Sequence, residues 1–118
     1  MFGKLFKRFG KKPVVVPGMD RLAEGEGRTV EVGDVHSGDG VQFLLCRIEG
    51  KVHAIDTLCP HEGGRIAPGP LHEGKFAVCP LHNYKFDPRD GGKAVGVTCA
   101  AARVYQAEEV DGACEVRL

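Results

Sequence analysis

The sequence predicts an all-β domain, an antiparallel sandwich or barrel, and three observations carry that expectation. Short stretches rich in valine, leucine, isoleucine and phenylalanine recur along the chain with turn residues between them. Seventeen glycines and seven prolines in 118 residues exceed average usage and favour many tight turns. Beyond the first dozen residues no long apolar period of helical spacing develops, and short strands separated by turn signals indicate antiparallel β structure. A chain of this length builds one domain with a modest core. With no tryptophan and 7% aromatic residues, that core falls to valine, leucine and isoleucine.

Residues 1–12 (MFGKLFKRFGKK) set Phe2, Leu5, Phe6 and Phe9 at spacings of three and four, one face of a short helix with basic residues opposite. Two internal glycines make such a helix marginal. The segment reads as a basic amphipathic piece ahead of the domain proper at 13–118: either a tail, or a docking segment for a membrane surface or a partner. Pro13 and Pro17 bracket Val14, Val15 and Val16, which suits an edge strand. Residues 19–27 read as a short helical turn running into a glycine-rich loop. Strands are expected over 29–32 and 41–49, and Glu49-Gly50-Lys51 turns the latter into a partner over 52–56. Further short strands are expected over 75–79, 84–87, 103–110 and 113–118. Asp111-Gly112, between the last two, is the strongest hairpin dipeptide in the chain.

Formal charge sums to zero, but five of the sixteen basic residues fall within the first twelve positions, so the rest of the chain carries eleven basic and sixteen acidic side chains. An acidic body argues against nucleic acid as a partner. It suits docking onto a basic protein surface, where complementary charge chiefly raises the on-rate. No apolar run approaches the ~20 residues of a membrane-spanning helix, the N-terminus lacks the apolar core of a signal peptide, and cytoplasm is the expected compartment. Five cysteines, an odd number, do not suit a closed disulfide framework.

Chemistry is concentrated in two short segments. Cys59-Pro60-His61 follows the strand expected over 52–56, and Cys79-Pro80-Leu81-His82 follows the strand expected over 75–79, with seventeen residues between His61 and Cys79. Each is a loop tip anchored on a sheet, and two such tips side by side unite two thiolates with two imidazoles. Thiolate is a soft, strongly donating ligand and imidazole a neutral, weaker one. One loop supplying one of each, twice over, is a ligand set for metal.

The pattern C-P-H, seventeen residues, C-P-L-H, followed by Phe86-Asp87, resembles the Rieske 2Fe–2S family over roughly residues 14–118. The resemblance implies a three-sheet antiparallel β architecture, with one 2Fe–2S cluster at the tip of a small subdomain formed by the two loops. It implies Cys59 and Cys79 as ligands of the buried iron, and His61 and His82 as ligands of the solvent-facing iron. A cluster held by four thiolates is a dianion when oxidised, whereas one held by two thiolates and two neutral imidazoles is uncharged, so the latter accepts an electron more readily. Potentials of this class run from about −150 to +300 mV, against about −400 mV for all-cysteine plant-type clusters. High-potential members resemble C-T-H-L-G-C and C-P-C-H-G-S, with a disulfide between the loops and a serine beside the cluster. Here Gly64 and Leu81 stand at the disulfide positions and Tyr84 at the serine. Fewer hydrogen bonds then stabilise the reduced state, which places this chain at the low end of the range. The third loop, 96–102, lacks the proline the family often places there to shield the cluster.

Two readings compete for the four ligands. A tetrahedral zinc ion takes such donors and would make the chain a zinc-stabilised interaction module, although zinc sites usually open with C-x2-C or C-x4-C. Against it stands a single-electron carrier between a reductase and a terminal oxygenase or similar redox enzyme, or the small electron-transfer subunit of a nitrite-reductase-like complex. No substrate pocket, mononuclear iron triad, or flavin or nicotinamide fingerprint is evident, so the chain reads as a carrier and not as an enzyme. Cys46 reads as a core residue, Cys99 and Cys114 as lone buried thiols, and His36, His53 and His72 as surface histidines. Tyr84 and Phe86 are expected to pack under the second loop, and Gly63, Gly64, Gly91 and Gly92 to serve turn geometry.

Overall fold

The molecule's organising element is a strand whose two faces are both buried. In the computed structural model, which describes residues 13–61 and 63–118, β3 (Val41–Ile48) has Phe43, Leu44, Leu45 and Cys46 fully buried. Successive side chains alternate sides with the period of a strand. Leu44, Cys46 and Ile48 enter one core while Phe43 and Leu45 enter a second. Its hairpin partner β4 (Lys51–Asp56) does the same, sending Ile55 to the first core and Val52 and Ala54 to the second. The unbroken apolar run around Phe43 is therefore the mark of a wall between two cores.

The remaining strands are β1 (Val14–Val16), β2 (Glu26–Val32), β5 (Gly69–Pro70), β6 (Ala77–Cys79), β7 (Tyr84–Asp87), β8 (Lys93–Val95), β9 (Val104–Val110) and β10 (Ala113–Arg117). Every pairing is antiparallel. Seven strands form one sheet in the order β1-β10-β9-β4-β3-β2-β5, and β6-β7-β8 form a second. The larger sheet is joined between β4 and β9 by only two pairs, Ala54 with Tyr105 and Ile55 with Val104. It thus divides into two halves, which with the small sheet recover the three-sheet arrangement expected from the family resemblance. The second core lies among the halves of the large sheet, and the first lies between the β3–β4 wall and the small sheet, where Ala77, Cys79 and Phe86 close it.

Expected and observed elements agree closely from β3 onward, and the differences are local. The helical turn expected over 19–27 is a single 3-10 turn, Met19–Arg21, whose buried Met19 belongs to the second core. β2 begins three residues earlier than expected because Gly27 and Arg28 continue the ladder opposite Cys46 and Leu45. β5 and β8 were not anticipated. The segment 1–12 lies outside the described residues. Among the described residues no helix is long and apolar enough to cross a membrane.

Arg47 ties the second core shut. Its Nε donates to the Leu22 carbonyl at 2.7 Å and a terminal nitrogen to the Met19 carbonyl at 2.9 Å. The same guanidinium grips both carboxylate oxygens of Glu109 on β9, at 3.0 and 2.9 Å. Replacement by methionine keeps the stem but leaves the Leu22 and Met19 carbonyls without their donor, and is expected to cost about 1–2 kcal/mol in urea unfolding. The hydrogen bond from Arg47 holds the Glu109 carboxyl below its ordinary range. A carboxyl depressed by folding stabilises above its unfolded pKa and loses that contribution as pH falls through the folded value. Stability should therefore decline on the acid side, below about pH 4.5, and Glu109→Gln should flatten that part of the decline.

Candidate metal centre

Each ligand loop is built by short-range hydrogen bonds that leave its side chains facing the other loop. In the first, the Cys59 amide donates to the Gly64 carbonyl at 2.7 Å and the Gly63 amide returns to the Cys59 carbonyl at 3.0 Å. Leu58 and Arg65 pair as an isolated bridge at its root, and the Ile66 amide donates to the Thr57 carbonyl at 2.7 Å. Thr57, fully buried, donates its hydroxyl to Gln42 Oε1 at 2.6 Å and accepts from Arg65 at 3.0 Å. This polar brace holds the loop root against β3. The second loop is the β6–β7 hairpin, with Cys79 opposite Tyr84. The Ala67 amide donates to the Val78 carbonyl at 3.1 Å and docks the segment after one loop onto the strand before the other.

The four expected ligands form two like pairs. Cys59 and Cys79 are buried, 2% and 1% exposed, and their thiols are within hydrogen-bonding contact. Burial raises the Cys79 pKa and the neighbouring Cys59 adds to the rise, while the Leu81 and His82 amides, which point at its sulfur, act the other way. Two buried thiols cannot both ionise cheaply by themselves, and a metal cation relieves that cost. The His61 and His82 rings lie 5.0 Å apart at an interplanar angle of 73°, with His82 exposed and His61 half-buried. Among the described residues no three metal-ligating side chains are grouped around one ion position. A thiol pair and an imidazole pair suit two metal atoms held together, each with its own pair, better than one tetrahedral zinc ion. The donor set fits a mixed-ligand 2Fe–2S group.

Two surroundings of the centre differ from expectation. Gly64 has no left-handed backbone to account for it; a Cβ there would stand 2.9 Å from Cys79 Sγ and 3.4 Å from Leu81 Cβ. It is a close-approach glycine and not a turn glycine, and it lets the two loops come together. Tyr84 packs against the first core and also stacks on His61 of the other loop, centroids 4.1 Å apart and planes 15° apart. Phe86 is buried in the first core as expected.

Neither Gly64's contact nor the Thr57–Gln42–Arg65 brace has a signature in spacing. All five cysteines are free thiols. Cys46 and Cys114 are buried as expected, but Cys99 is half-buried, resting on the core that holds Cys59 and Cys79. It belongs to a different core from Cys114. The third loop is fastened by buried Ala102, whose amide donates to the Gly92 carbonyl at 2.9 Å, while Val97 is 43% exposed. His36 and His72 are at the surface; His53 is half-buried, and burial together with Lys51 and Arg89 lowers its pKa against the opposing Asp87.

Comparison with known proteins bears on the family and the fold. The family model described as Rieske [2Fe-2S] domain matches residues 12–108. The ferredoxin component of the naphthalene 1,2-dioxygenase/salicylate 5-hydroxylase systems of a Ralstonia species is 36% identical over 69 residues. That match covers 58% of this chain and 60% of the relative's length. Among solved structures, the ferredoxin of carbazole 1,9a-dioxygenase from Nocardioides aromaticivorans superposes with a TM-score of 0.73 at 28% identity, covering 90% of this chain and 97% of that one. A putative NADH-dependent nitrite reductase small subunit from Mycobacterium tuberculosis shares the fold, with a TM-score of 0.65 at 24% identity over 92% of this chain and 97% of that one.

Proposed function

Because the chain belongs to the Rieske [2Fe-2S] domain family, we propose that Cys59, His61, Cys79 and His82 hold one 2Fe–2S cluster and that the protein carries single electrons from a reductase to a terminal oxygenase or similar enzyme. The observation that carries this reading is that two loops pair two buried thiols and, separately, two imidazoles. Bound there, the cluster supplies one-electron exchange at a potential raised by neutral nitrogen ligands.

The chain's own residues do the rest. Amides of Leu81 and His82, aimed at Cys79, offset thiolate charge. Phe86, Ala77 and Ala102 keep water from the thiol side. His82, exposed at the tip, gives a partner close access. Leu58 and Leu81, each next to a ligand and about half exposed, flank the tip with apolar contact area. A small, quickly released interface centred there suits a carrier that must turn over. The free-carrier reading is favoured over a fixed subunit because the relative at 36% identity is a ferredoxin component, whereas the likeness to the nitrite reductase subunit is one of fold. Residues 1–12 would add a docking segment for a membrane or partner surface, and the cytoplasm would be the working compartment.

Protein-film voltammetry tests the proposal. The expected result is a reversible one-electron wave toward the lower end of the range of about −150 to +300 mV. A chain beginning at residue 13 should keep that wave while losing any surface association that residues 1–12 confer. The absence of a one-electron couple from iron-replete protein would refute the carrier reading, and unchanged association would reduce the segment to a tail.

A further inference from the structure

The two ligand loops of this chain have no covalent link, and something else must hold His61 to the second loop. The His82 ring meets His61 edge-on at 5.0 Å, and Tyr84 supplies a stacked face. It leaves β7 directly opposite Cys79, so its backbone is part of the second loop's ladder, yet its ring lies flat against His61 in the first loop, 4.1 Å away and 15° from parallel. The same ring is 6.4 Å from His82 and tilted by 59° to it. Both imidazoles of the outer pair thus border one rigid aromatic plane, itself half-buried on the first core. Close by, Gly64 admits Leu81 to within van der Waals contact. An aromatic ring has few rotamers and a broad face, so a stack of this kind restricts the imidazole plane more than an aliphatic contact of equal size.

We propose that Tyr84 is a positioning residue for the outer ligand pair, which fixes the plane of the His61 ring and clamps the first loop to the second in place of a disulfide. The proposal rests on the ligand assignment above and adds the element that orients it. Ring orientation governs how an imidazole donor overlaps a metal, so the clamp acts on the spectrum and potential of the centre as well as on its retention.

The experiment compares iron-loaded wild type with Tyr84→Phe, Tyr84→Trp and Tyr84→Leu. Three quantities are read: the rate of chromophore loss in excess EDTA, the potential, and the EPR g values after dithionite reduction. Phenylalanine and tryptophan keep a stacking face and should retain wild-type values, which also shows the hydroxyl to be dispensable. Leucine should lose chromophore roughly three- to tenfold faster, as the strength of an ordinary aromatic pair implies, with shifted potential and altered or broadened g values in whatever cluster remains. If leucine prevents loading altogether, wild-type behaviour of the phenylalanine and tryptophan variants still supports a stacking role. Wild-type g values and potential in the leucine variant would overturn the proposal, as would a phenylalanine variant that behaves like leucine. A wild-type protein without an iron–sulfur chromophore would instead overturn the ligand assignment itself.

Discussion

Substitution of His82 by alanine should bleach the protein without unfolding it. His82 stands exposed at the tip of the β6–β7 hairpin, outside both cores, so its removal should leave the β fold formed. Its loss would leave the outer metal atom short of a donor. Even removal of a partner that only supports a ligand typically costs 10- to 100-fold in metal affinity, so loss of the ligand itself should lower the iron-to-protein ratio at least about tenfold. Visible absorption and iron analysis read the cluster while far-UV circular dichroism reads the fold. The signature is colour lost with an intact β spectrum. Full wild-type colour and iron content in this variant would show that His82 is not a ligand.

The largest effect on stability is expected at Gly92, not in the apolar cores. Its backbone is left-handed, with φ at 77°, and a Cβ built on it would lie 2.0 Å from the Ala102 carbonyl oxygen and 3.0 Å from the carbonyl carbon. Both are main-chain atoms, so no side-chain rotation relieves the clash. The left-handed conformation alone costs a non-glycine residue roughly 1–2 kcal/mol. The displaced Ala102 gives up its hydrogen bond to the Gly92 carbonyl, worth about 1 kcal/mol, and its buried place beside Cys59 and Cys79. Gly92→Ala should therefore cost about 3–5 kcal/mol in urea unfolding. Gly91 provides the matched control: its φ is 61° with no atom within 4 Å of an added Cβ, so Gly91→Ala should cost only the backbone penalty of about 1–2 kcal/mol. Equal losses at the two positions would show that the approach to Ala102 has no structural weight.

The proposed ligand set stands out in the sequence because metal chemistry restricts both residue type and spacing: C-x-H and C-x-x-H at two strand ends leave few other uses for four such side chains. The longer strands were legible too, since β3, β4, β7 and the β9–β10 hairpin carry apolar runs or turn dipeptides of their own. β5 and β8 were not. Two or three residues show no period, and Gly69–Pro70 and Lys93–Val95 are strands only because β2 and β7 offer them an edge. The cores illustrate the same limit. Spacing marks Leu44 and Leu45 alike as apolar; that they serve different cores follows from which elements close around β3. Nothing in the spacing marks Arg47, whose role depends on Met19, Leu22 and Glu109 arriving from distant parts of the chain. Gly64 and Tyr84 stand out in the sequence for the residues they replace, but what they touch across the loops is a property of tertiary approach.

Pulsed EPR on the dithionite-reduced protein tests the central claim most directly, because it detects nitrogen nuclei bonded to the paramagnetic centre. The account predicts a rhombic signal, with an average g value below that of all-cysteine clusters and strong nitrogen hyperfine couplings from two imidazoles. An iron–sulfur signal without such couplings, or a colourless protein with stoichiometric zinc, would contradict it.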